Sequence, residues 1–265
     1  MVAAVKSGRM LDEALAVAAT LVAIAAALSA FDRWLQRRRP HEAAWSASFA
    51  LFATASAALA AGAGLGWDQG TFRLFYLFGA IVNVPVLAVG TLMLHGSDRT
   101  RRYAVTAVAL FSAFAVGVML ATPFTAPLPA DRLARGSEVL PVLPRLLAAL
   151  ASGVGTIVVV VGALKSAIRF RTTPAGGRRA AANLLIATGV LLTGASGLAN
   201  SLLGEMGAFA LFLALGVSVI FVGYLVSTTA TAAPRVTPPE AGASLPDGSR
   251  TGAEPPPSRT PAPAG

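Results

Sequence analysis

Asn83 is the residue of this sequence whose chemistry most needs a reason. It stands in "FRLFYLFGAIVNVPVLAVGTLMLHG", residues 72 to 96, a stretch long enough to cross a membrane that also carries Arg73, Pro85 and His95. At 100° per residue, Tyr76, Gly79, Asn83 and Gly90 fall on one helical stripe. Two chemistries suit such a stripe. In the first, the glycines admit a neighbouring helix and the Asn83 amide hydrogen-bonds across the contact, contributing about 1 kcal/mol. In the second, the amide faces a cavity and binds a polar substrate, with Pro85 as a hinge. Packing is the expected role, with Pro85 removing one backbone hydrogen bond and kinking the segment. Arg73, near Trp67 and Asp68, snorkels from one end, and His95 before Gly96 suits the negative end of the helix dipole at the other.

A second polar stripe lies in "TGASGLANS", where Thr193, Gly197 and Ser201 are four residues apart and Asn200 stands beside them. Ser152, Gly153, Gly155 and Thr156 form a further small-residue cluster. Close helix packing accounts for both, and a substrate path along Tyr76, Asn83, Thr193, Asn200 and Ser201 is the alternative.

Other chemistries lack their parts. There is no Cys, which excludes disulfides, thiolate metal sites and cysteine nucleophiles. No Asp, Glu, Lys or His falls in the middle of an apolar segment, so no proton relay or ion-coupling site is visible. There is no HExxH, and the only histidines, His41 and His95, sit at segment boundaries. The sequence therefore predicts no enzyme, no cofactor and no metal site.

The elements that must position these residues are membrane helices. Of 265 residues 55% are hydrophobic and only 12% charged, with a mean hydropathy of +0.68, where a soluble domain carries about a quarter charged residues. The formal net charge of +9 sits in short connections between apolar runs, which argues for membrane orientation and against nucleic acid. Seven stretches approach the ~20 apolar residues a bilayer requires: 12–31, 43–64, 72–94, 103–122, 145–165, 181–203 and 206–227. The expectation is an all-α, polytopic membrane protein.

Basic residues set its orientation. One side holds Lys6, Arg9, Arg73, Arg132, Arg135 and Arg145, six in all; the other holds thirteen, in the connections around residues 33–39, 99–102 and 165–179 and at Arg235. The richer side faces the cytoplasm, leaving the N-terminus outside. Residues 1–11 are then a short extracellular start, 12–228 the transmembrane domain and 229–265, with nine of the 17 prolines, a disordered cytoplasmic tail. The first segment has a rival reading as a signal peptide cleaved after "ALSA", opposed by Asp12, Glu13 and the basic "RRRPH" that cleavage would leave outside. Trp34, Trp45 and Trp67 read as interfacial anchors, and the Pro-rich connection near 121–145 lies on the outer surface or caps the bundle.

The run "GWDQGTFRLFYLFGAIVNVPVLAVGTLMLHG" with its following arginine-rich turn resembles a pattern in uncharacterised bacterial seven-helix membrane proteins, carried by Gly79, Ala80, Gly90 and Thr91. Arginine's dominance over Lys6 and Lys165 fits a GC-rich bacterial genome. The resemblance implies no activity. The expected function is a non-catalytic plasma-membrane component, sensory, scaffold or assembly partner, that meets the lipid bilayer and a protein partner at its basic loops or tail. The alternative is a carrier for a small neutral or amphiphilic molecule along helices three and six.

Overall fold

Only Arg38 and Arg39 separate the first two helices, α1 (Val2–Arg37) and α2 (Pro40–Leu65). Arg38 turns the chain with a left-handed φ of 51°, its amide donating to Trp34 O at 2.7 Å and its guanidinium 5.3 Å from the Trp34 ring. Pro40 then opens α2 at a position where a missing N–H costs nothing. This is a computed structural model, and it describes residues 2–129, 132–170, 176–203 and 206–229; the side chains of residues 2–9, 95, 170, 198–203 and 228–229 lie outside that description. The chain divides into a unit Met1–Ala232 and a unit Ala233–Gly265, and every described residue belongs to the first. The expected tail, 229–265, thus lies outside the described residues apart from Thr229.

A third helix, α3, runs without a break from Gln69 to His95 in three pieces, Gln69–Phe75, a π-helical Tyr76–Val82 and Asn83–His95. It is followed by α4 (Asp98–Ala121), α5 (Val142–Phe170), α6 (Gly176–Leu203) and α7 (Met206–Thr229). A single helical turn, Gly136–Val139, interrupts the long connection before α5. Among the described residues there is no strand, and seven helices are long and apolar enough to cross a membrane. Most exceed their apolar segments by a turn or more, because helix propagation continues wherever the next amide finds its carbonyl. Local caps stop or start them: the Asp68 carboxylate accepts from Gly70 N and Thr71 N, and Ser97 Oγ accepts from Thr100 N.

Side-chain size is distributed as a bilayer requires. On α1 the inward seam is Ala16, Ala19, Ala23, Ala26 and Ala30, each fully buried, while Leu21 and Leu28 on its outer face are more than 60% exposed. Leu110, Leu120 and Ile157 are likewise outward on other helices. Small residues inside let backbones approach, and large apolar residues outside would be a liability in water but match lipid. This is the architecture of a multi-pass membrane protein.

The two ends of the bundle differ. Asp12, Glu13, Gly64, the 122–141 connection and Gly207 gather at one end, hereafter the loop face. Arg33, Arg39, Arg169 and Arg179 gather at the other, the arginine face. On the loop face the long connection caps the bundle: Leu133, Val139 and Leu140 are almost fully buried, and Thr125 N donates to Val139 O. Arg73 differs from the snorkelling residue expected. It donates to Thr122 O at 2.8 Å and stacks 4.9 Å from the Phe124 ring, tying α3 to the end of α4, where carbonyls lack amide partners. Trp67 also departs from the interfacial role. It is buried edge-to-face against Phe72 and Phe75, in space that Gly62 leaves open, with its indole N–H unpartnered among the described residues.

Candidate functional site

The π-helical piece of α3 is where the sequence's local instructions conflict. Pro85 has no N–H to offer the carbonyls of Ile81 and Ala80, four and five residues back. The chain widens into π turns over Tyr76–Val82, and Ser152 Oγ from α5 donates to Ala80 O at 2.7 Å. A neighbouring helix thereby supplies what proline withholds. Such widened turns occur disproportionately at functional positions.

Asn83 begins the piece that follows. It is buried, and its Oδ1 accepts from Ser48 Oγ of α2 at 2.6 Å. The same hydroxyl lies 3.2 Å from Asn83 O, at the start of the α-helical piece. The expected hydrogen bond across a helix contact is therefore present, with Ser48 as the partner that the sequence reading did not name. Gly79 and Gly90 face the same helix: a Cβ on Gly79 would meet Ala55 at 3.2 Å, and one on Gly90 would overlap the Trp45 ring.

Asn83 also borders a cavity of about 190 Å³ between α2, α3, α5, α6 and α7. Its polar side chains are Asn83, Ser152, Thr156, Thr193 and Ser196, and Phe52, Phe75 and Phe209 supply much of the apolar wall. Three hydroxyls are already donating, Ser152 to Ala80 O, Thr193 to Val190 O at 2.8 Å and Ser196 to Thr193 O at 2.6 Å, so they offer the cavity acceptor lone pairs. Asn83 Nδ2 and Thr156 Oγ1 have no hydrogen-bond partner among the described residues. The cavity thus combines an apolar body with one amide donor and a few hydroxyl groups, the composition of a small-molecule pocket.

The predicted site residues separate here. Asn83 and Thr193 meet in the cavity. Tyr76 does not join them: its ring stacks on Phe72 at 5.8 Å, and its hydroxyl lies beneath Gly136 of the loop-face cap. The 100° periodicity fails because π turns intervene between Tyr76 and Asn83, rotating Tyr76 off the stripe. The side chains of Asn200 and Ser201 lie outside the described residues.

The "TGASGLANS" stretch also reads differently in three dimensions. Close packing was its expected role, yet a Cβ on Gly194 or Gly197 would meet nothing within 4 Å, and both border the cavity. The glycines that do pack closely are Gly189, Gly216 and Gly223, where α6 and α7 touch backbone to backbone. On α5, Gly155 likewise meets the Val84 backbone of α3, and Gly162 makes room for the Thr91 side chain. Ser196 and Ser48 were missed because a lone serine in an apolar helix commonly bonds back to its own helix. Only the fold reveals that Ser48 reaches across.

No protein-family model, curated protein or solved structure matches the chain.

Proposed function

We propose that this is a non-catalytic protein of the cell membrane, N-terminus outside and C-terminus inside, that binds a small, largely apolar molecule between its helices as a carrier does. The orientation is supported by the thirteen basic residues on one side against six on the other. The binding role is carried by the cavity bordered by Gly194 and Gly197, glycines that serve no helix contact, with an unengaged amide donor from Asn83 on the facing helix.

Size sets the ligand class. An engineered cavity of about 150 Å³ in a soluble protein accepts benzene, so about 190 Å³ suits a single ring or a short chain bearing one acceptor for Asn83 Nδ2. Its mostly apolar wall disfavours a sugar or an ion, each of which would lose more hydration than these few groups return.

Photolabelling of the full chain in phosphatidylcholine vesicles with a diazirine-bearing alcohol of about seven carbons tests this. Label is expected on the peptides holding residues 152–156 and 190–197. Gly197→Leu, which projects a side chain where no atom stands within 4 Å, should remove that label and leave insertion unchanged. Label distributed over the lipid-facing leucines and indifferent to Gly197→Leu would defeat the binding reading.

An assembly role has support elsewhere. Between α3, α4 and α5 lies a wholly apolar cleft bordered by Pro85, Val89, Phe111 and Val154, and α4 is held chiefly at its loop-face end through Ala115 and Met119. Such a cleft seats an acyl chain or a partner's helix. Cysteine crosslinking from Leu110→Cys, in a chain with no native Cys, distinguishes these, since only a protein partner gives an adduct of increased mass.

A further inference from the structure

The arginine face holds a second concavity, of about 350 Å³, into which Arg33, Arg39, Arg169 and Arg179 contribute from α1, the α1–α2 turn, α5 and α6. Among the described residues the only carboxylate bordering it is Glu42. Four guanidinium groups therefore converge on one concave wall.

That carboxylate is spent on positioning. Glu42 is 2% exposed, and its Oε1 stands 3.4 Å from Arg33 Nε in an ion pair that is not a hydrogen bond. Arg33 is held a second time, its guanidinium 5.8 Å from the centre of the Tyr224 ring. The pair fixes Arg33 at the inner wall, while Arg39 and Arg169 stand exposed at the rim with no ion pair among the described residues. Cations converging on a concave wall at the edge of a low-dielectric slab repel one another, and an anion placed among them relieves that repulsion. Guanidinium groups select a phosphate over a halide because their forked donors match its oxygens in pairs.

The wall nearer the membrane is apolar. Trp45, Leu94 and Ile186 border the concavity there. A site with cationic donors at the rim above an apolar inner wall, at one end of a membrane bundle, fits a phosphate at headgroup depth.

We propose that this pocket binds a phosphate group presented at the membrane surface, with Arg33 as its fixed inner contact and Arg39 and Arg169 closing over it from the rim. The inference does not depend on the cavity beside Asn83, with which this pocket shares no lining residue.

The test compares two sources of the phosphate. The purified full chain is transferred to detergent with phosphatidylglycerol, phosphatidylcholine or inorganic phosphate, and retained lipid is counted by native mass spectrometry beside thermal unfolding. Wild-type protein should retain phosphatidylglycerol over phosphatidylcholine. The Arg39→Gln/Arg169→Gln variant, altered only at exposed rim positions, should lose that preference by about tenfold or more. Arg99→Gln/Arg102→Gln, an equal charge change on the same face outside the pocket, should keep it. Stabilisation of the wild type by inorganic phosphate, absent in the rim variant and without any preference among lipids, would assign the same site to a free phosphate. Equal losses in the two double variants, or no discrimination by either phosphate source, would overturn the proposal.

Discussion

Gly189 and Gly197 stand about two turns apart on α6 and serve opposite ends. A Cβ on Gly189 would lie 2.7 Å from both Gly216 O and Ile220 N of α7, whereas one on Gly197 would meet nothing within 4 Å. The partner helix accounts for the difference. Along α7 the residues that touch α6 backbone to backbone are Gly216 and Gly223, toward the arginine face, whereas Leu213 and Phe209 border the cavity that Gly197 also borders. Small residues on both helices bring the backbones together, and large ones on α7 hold them apart. A glycine in a membrane helix therefore marks close contact only where its partner is also small; opposite a bulky residue it marks retained volume.

The largest test of this contrast is Gly216→Leu. Its new side chain would overlap Thr193 N and Gly189 O, at 2.8 and 3.0 Å from the Cβ alone, and backbone cannot turn aside as a side chain can. Separation of α6 from α7 is expected, with a loss of about 3 kcal/mol or more, read as a lowered thermal midpoint in detergent and as new protease cuts in both helices. A midpoint unchanged by Gly216→Leu would mean that the two helices do not rely on this contact.

The next effect concerns the polar links around the cavity. Removing the Ser48–Asn83 hydrogen bond with Asn83→Leu should cost about 1 kcal/mol, since such bonds in membrane helices average about 0.6 and reach about 1.7 kcal/mol. Ser48 can then bond back to its own helix. A double-mutant cycle of Ser48→Ala with Asn83→Leu isolates the shared energy. Ser152→Ala should cost slightly more, because it leaves Ala80 O facing a proline with no substitute donor. Zero coupling in the first cycle would make Asn83 a ligand group alone, sharpening the distinction between contact and cavity.

These residues also show what could be read in advance. The seven spans were legible because apolar length is a direct requirement of the bilayer, and the Asn83 contact was legible because a buried amide must find a partner. The face of Tyr76 was not, because it depends on π turns that arise from Pro85 and from Ser152 on another helix. Nor were the roles of Gly189 and Gly197, since each depends on which α7 residue lies opposite. The buried Glu42 was invisible for the same reason: beside "RRRPH" it reads as a solvated charge, and only the fold turns it inward onto Arg33.

A smaller and opposite effect is expected at Gly197→Ala. With free space around the Cβ, the substitution removes the helix penalty of glycine and should stabilise by up to ~1 kcal/mol. The same change at Gly189 should destabilise. Matching signs at the two positions would break the comparison, and a thermal midpoint for each variant decides it.

The smallest effect lies at the loop-face cap, outside the spans, where a charge contact adds to the packing of Leu133, Val139 and Leu140. A hydrogen bond from Arg132 at 2.9 Å, followed by one from the Arg135 amide, holds the Glu138 carboxyl below its ordinary value of 4.5. A depressed carboxylate contributes stability that is present above the unfolded-state value and is lost as the pH falls through the folded one. Because the Glu138 side chain is 34% exposed, solvent screens much of this contribution. Amide-exchange protection at Thr125 and Leu140, whose amides bond Val139 O and Gly136 O, should decline modestly as the pH drops below 4.5, while protection in α6 and α7 near Gly189 and Gly216 stays constant. Glu138→Gln should flatten the first trend and leave the second alone. A decline of equal size in both regions would mean that acid loosens the whole bundle and that the cap has no electrostatic hold of its own.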